Sequence, residues 1–154
     1  MHPATQAEAV IRELRGKILL VTINNPPVNA LGVDVRRGLI AALDAADADP
    51  EVEAVLLVGA GRNFIAGADI AEMKDLDAKQ AEVEHTLTHV ANESIQTFPV
   101  PVIARINGWC LGVGMELAAA CDIRVGVDSA KFGIPEVRVG IPSGMEAVLL
   151  PGLI

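Results

Sequence analysis

Glu116 and Glu136 are the carboxylates of this 154-residue chain whose sequence surroundings favour acid–base chemistry. Glu116 follows a turn that contains Gly108, Gly112 and Gly114, and it falls in the first turn of a predicted helix. The unpaired N–H groups and the positive end of the helix dipole at such a position can hold an anion. Glu136 follows downstream of that helix. The pattern therefore predicts a site that holds an anion and moves a proton beside it.

A second glycine-rich loop, at residues 59–70, follows the strand-like run at residues 54–58 and precedes a helix-compatible segment. Two such loops can each offer one backbone N–H to the same carbonyl oxygen. A donor aimed at a developing oxyanion is worth roughly 3–4 kcal/mol of the barrier. The two loops together are therefore typical of a site that stabilises negative charge on a carbonyl oxygen.

Other chemistries fit the sequence less well. The Gly112-Val113-Gly114 triplet lacks the third glycine of a dinucleotide fingerprint, and the chain has no GK[ST] motif. Cys110 has no histidine near it in sequence, which argues against a nucleophilic thiol. His85 and His89 lie four apart without the intervening glutamate of the metalloprotease pattern, so we interpret them as a solvated helix face and predict no metal site.

Strands and helices alternate along the chain, which predicts an α/β fold. Periodicity and turn residues indicate the following elements: a hairpin of strands at residues 9–14 and 17–24, a helix at 33–48, a strand at 53–58, mostly helix at 70–97, a strand at 102–106, a short helix at 115–120 and a strand at 123–127. Asp69 and Asp122 are interpreted as residues that cap or fix loops, and Trp109 as a packing anchor.

Composition predicts a single globular domain over residues 1–154. With 51% hydrophobic residues, it also predicts apolar surface left for a partner subunit or for a missing C-terminal part. A net charge of −8 and a pI near 4.8 argue against nucleic-acid binding. Arg62 and Lys74 flank the loop at residues 66–70 and could contact phosphates, but we favour the interpretation that each is a solvated surface charge. With Cys110 and Cys121 expected to be reduced, and no signal peptide or membrane span recognised, we expect a cytoplasmic protein.

An ordered set of motifs along nearly the whole chain resembles the enoyl-CoA hydratase (crotonase) family. The matching segments are NPPVNAL at 25–31, FIAGADI at 64–70, PVIA at 101–104, NG at 107–108, LGVGMELA at 111–118, CDIR at 121–124 and FGIPE at 132–136. The resemblance implies a crotonase-like spiral of ββα repeats. Since family members are considerably longer, it also implies that this core domain lacks the C-terminal helical region.

The resemblance implies a site that adds water syn across the double bond of a 2-enoyl-CoA thioester. Backbone amides of Ala68 and Val113 would hold the carbonyl oxygen, Glu116 would be the principal water-holding base and Glu136 the proton donor. That division of roles stays open because coupled carboxylates share protons. The substrate would lie along Ala66, Ala68, Asp69, Ile70 and Val113.

The resemblance also implies partners for this chain, and the sequence differs from the family pattern at two places. It implies a lyase of fatty-acid β-oxidation that needs no cofactor, CoA being part of the substrate, and a homotrimer or hexamer for the full chain. The family usually has glycine at the place of Val113. The segment after Gly140 differs from the family by what reads as a one-residue deletion.

Three functional hypotheses remain. The first is an enoyl-CoA hydratase, favoured by the presence of both glutamates. The second is an enoyl-CoA isomerase or another crotonase-type lyase, which needs only one of them. The third is a non-catalytic fragment that binds acyl-CoA or serves in assembly.

Overall fold

A computed structural model of the chain describes residues 8–140 and 145–152. Strands and α-helices alternate along it. The strands are β1 (Val10–Arg15), β2 (Ile18–Ile23), β3 (Ala54–Gly59), β4 (Val102–Ile106), β5 (Trp109–Leu111), β6 (Ile123–Gly126) and β7 (Lys131–Gly133). The α-helices are α1 (Val33–Asp47), α2 (Ile70–Met73), α3 (Ala78–Gln96) and α4 (Val113–Ala120), and 3₁₀ helices span Pro135–Val139 and Met145–Gly152.

Within the described residues, β1, β2, β3, β4 and β6 form one sheet in that spatial order. The β1–β2 pair is an antiparallel hairpin, whereas β2, β3, β4 and β6 run parallel to one another. Parallel neighbours require a crossover, and here helices provide it: α1 links β2 to β3, and α2 with α3 links β3 to β4. The chain thus winds through successive strand–helix units, as the sequence predicted.

The core lies between this sheet and the helices. Alternate residues of the strands, such as Val21, Leu57 and Ala104, are buried, and α1 contributes Leu39 and Leu43 from one face. The apolar face of the helix and the apolar face of the sheet therefore pack together in one layer of aliphatic side chains. Such a core is expected from a chain with only 3% aromatic residues.

Two helices differ from their predicted bounds for identifiable reasons. The helical segment at 70–97 divides into α2 and α3 because the Asp77 side chain accepts from the Gln80 N–H and forms a capping box there. Helix α4 begins at Val113 rather than Met115 because Gly112 adopts a φ of 52° and turns the chain directly into the helix.

Strands β5 and β7 were not predicted. Each has three residues, and they form a small parallel sheet of their own in which Cys110 lies opposite Phe132. Such short strands depend on a partner distant in sequence, so local periodicity does not reveal them.

Several large apolar side chains of β5, β6 and β7 remain exposed. Ile123 and Val125 of β6 and Phe132 of β7 are each about half exposed, in line with the apolar surface expected from composition. Trp109 is 53% exposed, so its interpretation as a packing anchor is wrong within the described chain. None of the helices in the described residues is long and apolar enough to span a membrane.

Candidate active site

Helix α4 begins at a tightly constrained glycine. Gly112 donates its N–H to the Gly133 carbonyl at 2.8 Å, and its own carbonyl accepts from the N–H groups of Met115 and Glu116 at 2.8 and 3.1 Å. Its N-cap residue, Gly112, has no side chain that could cap the helix. The Val113 N–H is therefore the first of the amides at the positive end of the α4 dipole.

The two glycine-rich loops of the sequence lie against each other. Ile65 forms a parallel bridge with Cys110, and the Leu111 N–H donates to the Ile65 carbonyl at 2.9 Å. A Cβ built on Gly114 would lie 2.5 Å from the Ile65 carbonyl oxygen, so only glycine allows this approach. The start of α4 is thereby packed directly on the strand-like segment that leads to Ala68.

The predicted N–H donors, Ala68 and Val113, lie on these two packed segments and are half-buried. Within the described part of the chain, no backbone carbonyl accepts from either N–H group. Ala68 itself forms a parallel bridge with Leu31, whose N–H donates to the Gly67 carbonyl at 2.8 Å. Both amides thus lie close to the start of a helix, and neither has a backbone acceptor among the residues that the structure describes.

The remaining predicted substrate-binding residues have different surroundings. The Ala66 N–H already donates to the Val28 carbonyl at 3.2 Å. Asp69 accepts from the N–H groups of Ala71 and Glu72 and so caps α2, as the sequence predicted. Ile70 is 68% exposed and therefore offers an apolar surface beside the Ala68 loop.

Both predicted catalytic glutamates contact Gly112, Glu116 through its backbone N–H and Glu136 through its carboxylate. Glu116 is 2% exposed and lies in the first turn of α4. Glu136 lies at the start of the 3₁₀ helix Pro135–Val139, and its carboxylate is packed on Gly112. A Cβ on Gly112 would lie 1.9 Å from Glu136 Oε1. The Glu136 carboxylate is therefore held at the N-terminus of the helix that carries Glu116.

The Glu136 carboxylate has one oxygen without a partner. Its Oε2 atom is buried, and among the described residues no group donates a hydrogen bond to it. A buried carboxylate oxygen in that state can accept a hydrogen bond from water or carry a proton of its own, because desolvation without a partner is costly. The site can therefore accept or deliver a proton next to the start of α4.

The two cysteines do not contribute a nucleophile. Burial raises the pKa of the Cys110 thiol to about 12, and burial is also the largest cause of the rise to about 12 at Cys121. Their Sγ atoms lie 3.5 and 3.4 Å from the carbonyls of Gly114 and Leu117. Both thiols are therefore protonated at neutral pH. No metal-binding group of three or more His, Cys, Asp or Glu residues occurs among the described residues.

Asn29 is an important site residue to which sequence reasoning assigned no role. It is 2% exposed with a φ of 56°, and its Nδ2 donates to the carbonyls of Ala60 and Asn63 at 2.9 and 2.8 Å. Asn63 in turn accepts from the Trp109 N–H through Oδ1. Asn29 thus anchors one glycine-rich loop to the other. Its place in the first motif was visible, but its partners lie far away in sequence.

Comparison with known proteins agrees with this architecture. A family model described as Enoyl-CoA hydratase/isomerase matches residues 13–150. The short-chain-enoyl-CoA hydratase of Clostridium acetobutylicum is 42% identical over 137 residues, which are 88% of this chain and 52% of that protein. The crotonyl-CoA hydratase of Syntrophomonas wolfei is 41% identical over 139 residues, 89% of this chain and 54% of that protein.

Solved structures match the fold closely. An enoyl-CoA hydratase/carnithine racemase from Magnetospirillum magneticum has a TM-score of 0.90 at 36% identity, covering 96% of this chain and 57% of its own. An enoyl-CoA hydratase from Thermoplasma volcanium gives 0.90 at 31% identity, with 96% and 60% covered. The chain spans about half the length of the curated relatives it matches. The expected crotonase-like fold is confirmed, and the chain belongs to the enoyl-CoA hydratase/isomerase family.

Proposed function

We propose that this chain carries the catalytic centre of an enoyl-CoA hydratase, which adds water syn across the double bond of a 2-enoyl-CoA thioester. The observation that supports this most directly is the contact of the Glu136 carboxylate with Gly112, the N-cap residue of the helix that carries Glu116. Glu116 is buried in the first turn of α4, and the Glu136 carboxylate lies against the residue that starts that helix. A hydratase needs two acid–base groups beside one oxyanion site, and we assign these roles to Glu116, Glu136 and the N–H groups of Ala68 and Val113.

In the proposed mechanism, the thioester carbonyl oxygen accepts hydrogen bonds from the N–H groups of Ala68 and Val113. Glu116 takes a proton from water as the oxygen attacks Cβ, and the electron pair of the double bond moves to form an enolate. The two amides stabilise the negative charge on the enolate oxygen. Glu136, which begins protonated, then delivers its proton to Cα and completes the addition of one water molecule. Proton exchange with solvent returns Glu116 to its ionised form and Glu136 to its acid form.

Substrate binding is proposed along the loop that leads into α2. Ala66, Ala68, Asp69 and Ile70 would border the CoA portion, and Val113 would border the thioester. CoA enters as part of the substrate, and the proton transfers use side chains of the chain itself. We therefore propose that no additional cofactor takes part.

The exposed apolar residues of β6 and β7 support a further proposal, that the whole protein assembles as a homotrimer or hexamer. Ile123, Val125 and Phe132 would be covered in such an assembly or by the remaining length that relatives possess. A cytoplasmic location likewise remains a proposal, based on the expected reduced thiols.

The test is hydration of crotonyl-CoA, followed by loss of the enone absorbance. The Glu116→Gln and Glu136→Gln variants should each lower kcat by about 10²–10⁴, because each removes one acid–base group while keeping the side-chain shape. Binding of butyryl-CoA, which has no double bond to hydrate, should change little. Glu93→Gln, an equal charge change at an exposed position of α3, is the matched control.

The outcomes separate the hypotheses. Unchanged turnover in both glutamate variants would contradict the hydratase assignment. Conversion of a β,γ-enoyl-CoA without hydration of crotonyl-CoA would favour the isomerase. Binding of acyl-CoA with neither reaction would favour a non-catalytic fragment.

A further inference from the structure

The backbone at the start of α1 donates two hydrogen bonds to residues on either side of Ala68. The Leu31 N–H donates to the Gly67 carbonyl at 2.8 Å, and the Val33 N–H donates to Glu72 Oε2 at 2.8 Å. Gly67 precedes Ala68, and Glu72 follows it in α2. Ala68 is therefore bracketed by hydrogen bonds from one short segment. We call the Val33–Glu72 contact the Glu72 clasp.

The Glu72 clasp takes the place of a side-chain cap at the N-terminus of α1. The N-cap residue of this helix is Gly32, which has no side chain to accept from the first N–H groups. The Glu72 carboxylate from α2 takes that role. A Cβ built on Gly32 would lie 2.7 Å from Glu72 Oε1, so the absence of a side chain there makes room for the carboxylate.

The helix that Glu72 caps also carries a buried cation, Arg36. Arg36, one turn into α1, is 4% exposed, and its Nη1 pairs with Glu84 Oε2 on α3 at 2.5 Å. The pKa of Arg36 is lowered, because the effect of burial exceeds the opposing effect of the nearby carboxylates of Glu84, Glu72 and Asp69. The Glu72 carboxylate thus lies at the N-terminus of α1, where the positive end of the helix dipole attracts negative charge.

From these contacts we propose that Glu72 is a positioning residue for the thioester site: it holds the Ala68 N–H in place through its clasp on Val33. The inference rests on the proposed function, since it assigns Ala68 the role of an oxyanion donor. Glu72 does not touch the reacting atoms. It acts by fixing α2, the helix that begins directly after the Ala68 loop.

The experiment compares the wild-type chain with three variants and one control. Glu72→Ala removes the clasp, whereas Glu72→Gln keeps an acceptor oxygen and loses only the charge. Gly32→Ala leaves Glu72 in place but pushes its flexible carboxylate away from Val33. Glu82→Ala removes an exposed acid from α3 and controls for the change in net charge.

Two measurements are made on each protein. Hydrogen–deuterium exchange reports the protection of residues 66–72, and the infrared band of butyryl-CoA labelled with ¹³C at its carbonyl reports polarisation by the N–H donors. In Glu72→Ala and Gly32→Ala, exchange should rise roughly fivefold, the loss expected of a helix cap. The carbonyl shift should fall to less than half of its wild-type size. Glu72→Gln should lie between, and Glu82→Ala should match the wild type.

The two measurements identify which idea fails. If the wild-type chain shifts the carbonyl band and Glu72→Ala shifts it equally, the positioning role is wrong while the proposed function stands. Unchanged exchange in Glu72→Ala and Gly32→Ala would overturn the inference as well. If the wild-type chain binds no butyryl-CoA or gives no carbonyl shift, the proposed function itself fails. Because Gly32→Ala retains the Glu72 side chain, the test survives a Glu72→Ala variant that does not fold.

Discussion

The Glu136 carboxylate rests on the α-carbon of Gly112, so closely that any side chain at position 112 would occupy the space of Oε1. Gly112 also starts α4 with a φ of 52°. Gly112 therefore sets the direction of the helix that carries Val113 and Glu116. It also leaves the space that the Glu136 carboxylate occupies. This coupling makes the site sensitive to a single methyl group.

Gly112→Ala is expected to lower turnover about a hundredfold, because displacement of a reacting group by about 1 Å costs that much. Positive φ adds a strain of about 1–3 kcal/mol in folding stability. Gly16→Ala is the matched control, since Gly16 has a φ of 61° with nothing within 4 Å of its Cβ position. Steady-state kinetics and urea unfolding of both variants separate the two effects. Equal losses of turnover in the two variants would show that the Glu136 contact is unimportant.

Val113→Pro tests the proposed donor on α4 directly. Proline is tolerated at the first position of a helix, where its missing N–H has no intrahelical partner. The helix should therefore persist while one oxyanion donor is lost. We expect kcat for crotonyl-CoA to fall about 10²–10³-fold. Val113→Ala, which keeps the N–H, should retain most of the activity; full activity of the proline variant would exclude Val113 as a donor.

Arg124 stabilises the other end of α4. Its Nη1 atom lies 3.2 and 3.4 Å from the carbonyls of Ala118 and Ala119 and also contacts the Cys121 carbonyl. Arg124→Met keeps the aliphatic stem but removes these bonds, and the free energy of unfolding should drop by about 1 kcal/mol. Urea denaturation measures the change. Arg37→Met, at an exposed position of α1, should leave stability nearly unchanged.

The buried thiols predict a loss of stability at alkaline pH. In the folded chain the pKa of Cys110 and of Cys121 is raised from 9.0 to about 12. Above pH 9 the unfolded chain ionises its thiols while the folded chain does not, so stability is full below pH 9 and falls as pH rises toward 12. Each thiol contributes up to about 1.4 kcal/mol per pH unit in that window.

Urea denaturation at a series of pH values checks this expectation. The Cys110→Ala/Cys121→Ala double variant should show a shallower decline above pH 9 than the wild type. Identical slopes would mean that the thiols do not ionise on unfolding. Iodoacetamide at neutral pH should label the unfolded wild-type chain and spare the folded one.

Much of the fold could be predicted from local patterns. Strand β4 has the predicted bounds, and the β1–β2 hairpin, α1 and β3 differ from theirs only at the ends. Asp69 and Asp122 act on the backbone as expected, since Asp69 caps α2 and the Asp122 carboxylate accepts from the Val102 N–H at 2.8 Å. The elements and the Asp69 cap depend on residues close in sequence or on strong side-chain periodicity, which a linear pattern records. The partner of Asp122 lies 20 residues away and was not predictable from the local pattern.

The candidate site was predicted only in part. The residue types at Glu116, Glu136, Ala68 and Val113 were apparent from their motifs, and their roles remain predictions. The pairing of β5 with β7 and the exposure of Trp109 were not foreseen. Nor was the Glu72 clasp, because its partners Val33 and Glu72 belong to different helices and meet only after both have packed.

The sequence by itself determined the alternation of strands and helices, the positions of the glycines and the acids available for chemistry, because backbone freedom and apolar periodicity are local properties. Tertiary structure alone decided which of these residues meet. The contact of Glu136 with Gly112, the packing of Gly114 on Ile65 and the bracket around Ala68 join segments that are distant in the chain. Such contacts arise from close packing of the assembled sheet and helices, which depends on all elements at once.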